Sequence, residues 1–245
     1  MVVDALAVAA PNLFMPGSGD VRHLVDAGRA LGIEGHVVAP GRPPTYALPP
    51  ANDRLAEAAE GLTSVARLGR VDPHQGSDAV AEARRCLDVL GCAGLFLHPG
   101  EEVFPIRQAA AVVAEAAVRG APVVVATGTY ALSEPLQVLD LARAVPDAVV
   151  VMTSGGQINI SGLSMVDAWA ALQSSANLHV MTNGEYRQDY LERLVRDLDP
   201  RRLLFASFTP YYEQAFELRR VHSMDVGAED RALVLGGNAR RIFRL

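Results

Sequence analysis

Residues 121–157, APVVVATGTYALSEPLQVLDLARAVPDAVVVMTSGGQ, leave this chain few folds to choose from. A β-branched run at 122–125 breaks at Thr127-Gly128, gives way to an amphipathic stretch at 133–144, and returns as a second apolar run at 148–152. That is a strand, a helix and a strand. Unbroken rather than alternating Val runs suit strands covered on both faces, and a helical crossover of this length makes neighbouring strands parallel. Ser133-Glu134-Pro135 reads as a helix start, with Ser133 as N-cap and the proline in the first turn. In such units chemistry gathers where strands end, here at Ala126-Thr127-Gly128 and Thr153-Ser154-Gly155-Gly156-Gln157.

The same alternation recurs along the whole chain. Apolar runs at 2–8, 35–39, 63–68, 94–97, 122–125, 148–152, 178–181 and 203–206 are the predicted strands. Helices are predicted at 20–31, 51–60, 77–90, 106–119, 133–144, 163–173, 186–197, 212–222 and 228–235, with Gly236-Gly237-Asn238 separating the last from the tail. Eight strand-helix units without a Gly-x-Gly-x-x-Gly after a strand favour a (β/α)8 TIM barrel over a doubly wound α/β sheet. A chain of 245 residues, half of them apolar, can bury one such core, so a single domain over 1–245 is expected.

Charge and composition remove several functions. The net charge of −6 gives no basic footprint for nucleic acid or an anionic membrane. The first 14 residues lack a basic leader region and no apolar run approaches the ~20 residues of a membrane span, so a cytoplasmic protein is expected. All 22 basic residues are Arg, which rules out a Schiff-base lysine, a Walker lysine and a carbamylated-lysine metal bridge together. Cys86 and Cys92 show no CxxC spacing and read as a reduced structural pair.

Taken together, the strand ends resemble those of the amidohydrolase-related family, which includes the aminocarboxymuconate semialdehyde decarboxylase-like enzymes. The motifs run in the family's order: Val3-Asp4-Ala5, Arg70-Val71-Asp72-Pro73, Leu97-His98-Pro99, Thr127-Gly128, Gly155-Gly156-Gln157, Leu204-Phe205 with Thr209-Pro210, and Gly237-Asn238-Ala239-Arg240. The resemblance implies an amidohydrolase-like barrel holding one divalent metal by a His-x-His after the first strand, single His residues after the fifth and sixth, and an Asp after the eighth. In this sequence those positions carry Leu6, Val8, Ala126, Ser154 and Phe208. None supplies the N, S or carboxylate donor that such a metal needs, so no metal and no other cofactor is expected, and the old pocket should be filled or apolar.

Other polar groups remain near the strand ends. His98 with Glu101 and Glu102 could make an acid/base set or a substitute metal site, although the two Glu residues would also suit a helix start. Gln157 and Asn159 could bind a polar ligand or merely cap their loop, and Arg42, in the Pro-rich loop 40–46, could bind a small carboxylate or stay solvated. His23, His36, His74, His179 and His222 lack ligand spacing and read as surface or satisfied core residues. Ser154 has neither a Gly-x-Ser-x-Gly elbow nor an adjacent base, which argues against a hydrolytic serine. Two functions compete. One is a non-catalytic subunit forming a homodimer, or a heterodimer with an active amidohydrolase paralogue. In the decarboxylase-like relatives an Arg can reach the substrate carboxylate of the partner, for which Arg42, Arg187, Arg219 and Arg220 are the candidates here. The other is a metal-independent lyase, cyclase or isomerase acting on a small carboxylated substrate. The family's default of hydrolase or decarboxylase ranks third.

Overall fold

The computed structural model describes residues 1–45, 47–157 and 163–245. Its strands are β1 (Val2–Ala9), β2 (Ile33–Pro40), β3 (Val65–Arg70), β4 (Gly94–Leu97), β5 (Val123–Val125), β6 (Val150–Met152), β7 (Leu178–Met181) and β8 (Leu203–Leu204). They form one parallel eight-stranded sheet in sequence order. The sheet closes where β8 meets β1: the Ala5 amide donates to the Phe205 carbonyl at 3.0 Å, Phe208 to Leu6 at 2.7 Å, and Val8 to Thr209 at 2.8 Å. Helices follow the strands in the order expected, and the fold is a (β/α)8 TIM barrel.

Side-chain alternation explains the continuous Val runs. Phe96, Val124, Val151, Met181 and Leu204 pack with Leu6, Val8 and Leu68 in the barrel interior. Their sequence neighbours Leu95, Leu97, Val123, Val125, Val150, Met152, Val180 and Leu203 join the outer layer against the helices. Both faces of β4 to β8 are therefore buried, which is the condition that selects unbroken apolar runs.

Four local expectations need correction. The eighth strand stops at Leu204 rather than 206, because side chains take over the ladder. The Ala206 amide donates to the Thr182 hydroxyl at 3.3 Å, and the Ser207 amide to the buried Asp4 carboxylate at 2.8 Å. Ser133 is not the N-cap: its hydroxyl donates to the Ala126 carbonyl at 3.0 Å, tying the helix to the end of β5. Glu134 caps the helix Pro135–Ala144 instead, with Gln137 completing a capping box. The Gly236-Gly237 pair breaks nothing, since a wide turn over Leu233–Gly237 leads into a last helix, Asn238–Phe243. Glycine is needed there because a Cβ on Gly236 would lie 2.3 Å from the Met1 carbonyl oxygen. Finally, the buried histidines are not all satisfied. Both ring nitrogens of His36, and Nδ1 of His179, have no hydrogen-bond partner.

Cys86 and Cys92 are both free thiols. Among the described residues, no helix is long and apolar enough to cross a membrane.

Candidate functional site at the barrel mouth

The C-terminal strand ends converge on one face, where a TIM barrel keeps its chemistry. Its centre is apolar. Leu6 and Val8 are fully buried, Ala126 and Phe208 nearly so, and all four belong to the interior core. The Phe208 ring packs on Tyr211 with centroids 4.7 Å apart and also approaches Phe96 and His98, at 6.1 and 6.2 Å. Ser154, the fifth position, is buried and exchanges hydrogen bonds with Asn183. Its amide donates to Asn183 Oδ1 at 3.3 Å, and Asn183 Nδ2 donates to its hydroxyl at 3.2 Å. Four side chains without donor atoms and one committed hydroxyl do not fit a divalent metal. Among the described residues, no group of three or more His, Cys, Asp or Glu side chains is placed to hold one.

Ser154 and Phe208 share a further property: each sits in the left-handed backbone region, with φ of 56°. Few non-glycine residues do so, and such geometry survives where the surroundings impose it. At Phe208 the imposition is visible in the barrel seam, where its amide reaches across to Leu6.

Beside this apolar centre lies an ion cluster that the sequence named only in part. His98, Glu101 and Glu102 do come together, because the chain turns straight from β4 into a one-turn helix, Pro99–Glu102. His98 is the N-cap, accepting the Glu101 amide on Nδ1 at 3.1 Å. The two carboxylates then meet Arg70, which ends β3 in the same interior row as Ala66 and Leu68. Its Nη2 bonds Glu101 Oε2 and also Glu102 Oε1, the latter at 2.7 Å. Arg70 is completely buried and lies over the Phe96 ring, 5.5 Å from its centroid. Arg42, read from the sequence as either a carboxylate-binding or a solvated loop residue, is instead engaged by this cluster. It bonds the Glu101 carbonyl and lies 3.5 Å from Glu102 Oε1. Tyr211 donates its hydroxyl to Glu101 Oε1 and accepts from Asn12 Nδ2 at 3.1 Å.

Electrostatics divides the cluster. Burial works against the Arg70 charge, but Glu102 and Glu101 outweigh it and its pKa rises. Burial also disfavours ionised Glu101, yet His98, Arg70 and the Tyr211 hydroxyl hold it below the usual carboxylate range. For Glu102 burial wins over Arg70, and its pKa rises. Burial pushes the His98 imidazole down to about 4, so it is neutral at neutral pH. A cavity of about 430 Å³ adjoins the cluster, lined by Leu13, Phe14, Arg42, Pro44, Glu101 and Glu102 among others.

The other side of the mouth is a hydrogen-bonded network of hydroxyls, carbonyls and amides that includes the Glu185 carboxylate. The Thr127 hydroxyl donates to the Thr153 carbonyl at 2.6 Å, and Tyr190 to Gly155 at 3.0 Å. Gln157 is buried against Glu185, to which its amide donates, and so is far from the His98 group in chemical role. Asn159 lies outside the described residues. Arg70, Tyr211, Asn12 and Glu185 escaped attention as site residues. Only Arg70 carried a signal, as a charged residue at a strand end within the Arg70-Val71-Asp72-Pro73 motif.

Solved structures share this architecture. A 5-carboxyvanillate decarboxylase from Sphingomonas paucimobilis is 18% identical with a TM-score of 0.76, over 95% of this chain and 86% of that one. The 2,6-dihydroxybenzoate decarboxylase from Rhizobium is 18% identical with a TM-score of 0.78, over 99% and 98%. A dihydroxybenzoic acid decarboxylase from Polaromonas sp. JS666, with bound manganese and the inhibitor 2-nitroresorcinol, is 17% identical with a TM-score of 0.78, over 100% and 98%. No curated protein matches the sequence significantly. The sequence profile of the Amidohydrolase family matches residues 22–245, all of the chain beyond β1 and its exit loop, and the chain therefore belongs to the amidohydrolase family.

Proposed function

We propose that this barrel works without a divalent metal, as a non-catalytic subunit that pairs with itself or with an active amidohydrolase paralogue. The observation that carries the reading is the filled mouth: Leu6, Val8 and Phe208 occupy its centre, and Arg70 and Arg42 are matched there by Glu101 and Glu102. The centre of such a site has no metal donors, the carboxylates beside it are committed to arginine, and neither of those arginines is free for a substrate carboxylate. Of the Arg residues considered for reaching a partner's substrate, Arg187 is paired with Asp189 and Arg220 with Glu217, and Arg42 belongs to the mouth. Arg219 is exposed and, among the described residues, has no carboxylate partner, so it is the candidate that remains.

The test combines elemental analysis of the purified chain with light scattering after size exclusion, alone and after coexpression with a family member carrying an intact His-x-His. The reading expects well under one equivalent of Zn, Mn or Fe, a dimer, and a higher yield or activity of the coexpressed partner by mass action. A stoichiometric metal that survives dialysis, or a monomer without effect on the partner, overturns it.

A second reading, a metal-independent lyase, cyclase or isomerase, draws on one observation. Two carboxyls with pKa values pushed apart, Glu101 down and Glu102 up, line the same cavity, an arrangement that suits an acid and a base. Turnover of a small substrate that disappears in Glu102→Gln, in a chain that still folds, would favour it over the subunit reading.

A further inference from the structure

The opposite end of the barrel carries a site of another kind. A cavity of about 630 Å³ opens between the end of the helix Leu163–Ser174, the segment leading into β8 and the last helix, lined by Ala176, His179, Leu198, Asp199, Arg202 and Arg241 among others. His179 is in register with Met181 on β7, so it sits at the floor of the barrel interior, 8% exposed, with Nδ1 unpartnered. Three guanidinium groups surround it. Arg201 is neutralised by Asp199, through bonds of 3.0 Å to each of its oxygens. Arg202 and Arg241 are not neutralised. Arg202 donates only to the carbonyls of Leu178, Leu172 and Ser175, and Arg241 to that of Arg201. Among the described residues, neither has a carboxylate within ion-pair distance. The cavity lining therefore carries three guanidinium groups against one carboxylate, Asp199, an excess of two positive charges in a protein whose net charge is −6.

Carbonyl bonding leaves donors to spare. The Arg202 guanidinium has five N–H groups and spends three, and Arg241 spends one. Arg202 at the start of β8 and Arg241 on the last helix present donors from two directions, and from β7 the unpartnered Nδ1 of His179 can accept the proton of a monoprotonated phosphate or, once protonated, donate to it. That suits a tetrahedral anion with three free oxygens better than a planar carboxylate, and the forked guanidinium is the side chain best shaped for phosphate oxygens. The cavity is larger than a phosphate alone, leaving room for an organic body beside Leu198 and Ala176.

We infer that this floor cavity binds the phosphate group of a small phosphorylated molecule, held by Arg202 and Arg241 with His179 as a third contact. The bound charge would compensate the two guanidinium groups that, after burial, do most to keep His179 neutral. This site is independent of the mouth and of whether the protein pairs.

Histidine NMR of the full chain provides the test, with inorganic phosphate, glycerol 3-phosphate and sodium chloride titrated at matched ionic strength. Both phosphates should shift the His179 ring signals saturably and raise its pKa by about one unit, chloride should do neither, and Arg241→Gln should weaken binding at least tenfold. Arg241 is exposed, so this variant keeps the fold, which circular dichroism checks. The inference is overturned if chloride reproduces the shift, if neither phosphate saturates below 10 mM, a ceiling of about 3 kcal/mol of binding, or if Arg241→Gln binds as well as the parent chain.

Discussion

The two ends of the barrel use arginine in opposite ways. At the mouth each buried guanidinium answers to carboxylates: Arg70 to Glu101 and Glu102, Arg42 to Glu102. At the floor Arg201 keeps Asp199 as its partner, but its neighbours answer to carbonyls, Arg202 at the end of the helix Leu163–Ser174 and Arg241 at Arg201, as do Arg244 at Gly120 and Arg231 at Met224 and Val226. A carbonyl satisfies hydrogen bonds without cancelling charge. The mouth is therefore electrically closed, while the floor keeps an outward positive field, the reverse of what a carboxylate-processing barrel would need at its mouth. The difference teaches that a filled site is recognised by what its cations are paired with and not by how many there are.

The sharpest way to break this comparison is to put the family's metal donors back. Leu6→His, Val8→His, Ala126→His, Ser154→His and Phe208→Asp together bury five polar groups in a site that is now apolar, each costing roughly 1–3 kcal/mol when unpaired. The sum is comparable with a whole domain's stability of about 5–15 kcal/mol, so the variant should be largely unfolded when apo and regain a cooperative transition with zinc. Calorimetry with and without zinc checks this. Equal stability in both would show that these five positions do not converge as the strand ends suggest.

Removing the matched cation comes next. Arg70→Met leaves Glu101 and Glu102 buried without their main partner and should cost about 3–5 kcal/mol in urea unfolding. Adding Glu101→Gln and Glu102→Gln should return most of the loss, because the penalty lies in the abandoned carboxylates. On the floor, Arg241→Gln should cost well under 1 kcal/mol, as expected of an exposed group bonded to one carbonyl. Similar losses at both ends would erase the contrast.

A smaller effect is read by pH. His98 and His179 titrate near 4 in the folded chain, in each case first because of burial, against an ordinary value near 6.5. The unfolded state then binds more protons between pH 6.5 and 4, so stability is full above 6.5 and falls as pH drops through that window, by up to about 3 kcal/mol per histidine. His98→Gln and His179→Gln should each flatten part of the slope. If phosphate flattens the His179 part alone, the two ends are shown to differ in their access to anions as well as in their pairing.

The fold was legible because its signal is repeated: eight apolar runs, each too continuous for a one-sided strand, leave a barrel as the natural closure. What misled was local and chemical. Ser133 looks like a cap and instead ties a strand to a helix, and Gly236-Gly237 looks like a break and instead admits the first residue of the chain. The five positions at the mouth were legible as residue types, whereas the cluster beside them was legible only in His98, Glu101 and Glu102, which are close in sequence. Arg70, Glu101 and Tyr211 lie far apart in sequence and meet only because β3, β4 and the loop after β8 open on one face. Arg42 shows the same limit from the other side, since nothing in a Pro-rich loop announces that its arginine will be spent on Glu101 and Glu102.

The smallest effect concerns how the mouth's carboxylates are held. Val103 follows Glu102 directly and caps its short helix in the left-handed region, with φ of 57°. A β-branched residue is poorly suited to that conformation, which costs roughly 1–2 kcal/mol for ordinary residues, and Val103 is 65% exposed, so packing returns little. Asparagine tolerates the same backbone with less strain and adds no flexibility to the unfolded chain as glycine would. Val103→Asn should therefore raise stability by about 0.5–1 kcal/mol while leaving the Glu101 and Glu102 contacts with Arg70 intact. In the Arg70→Met background the same substitution should give the same gain, because the strain belongs to the backbone and not to the ion pairs. A gain that vanishes there would mean that Val103 acts by pressing the carboxylates onto Arg70, and that the closed mouth is maintained by the turn as much as by charge.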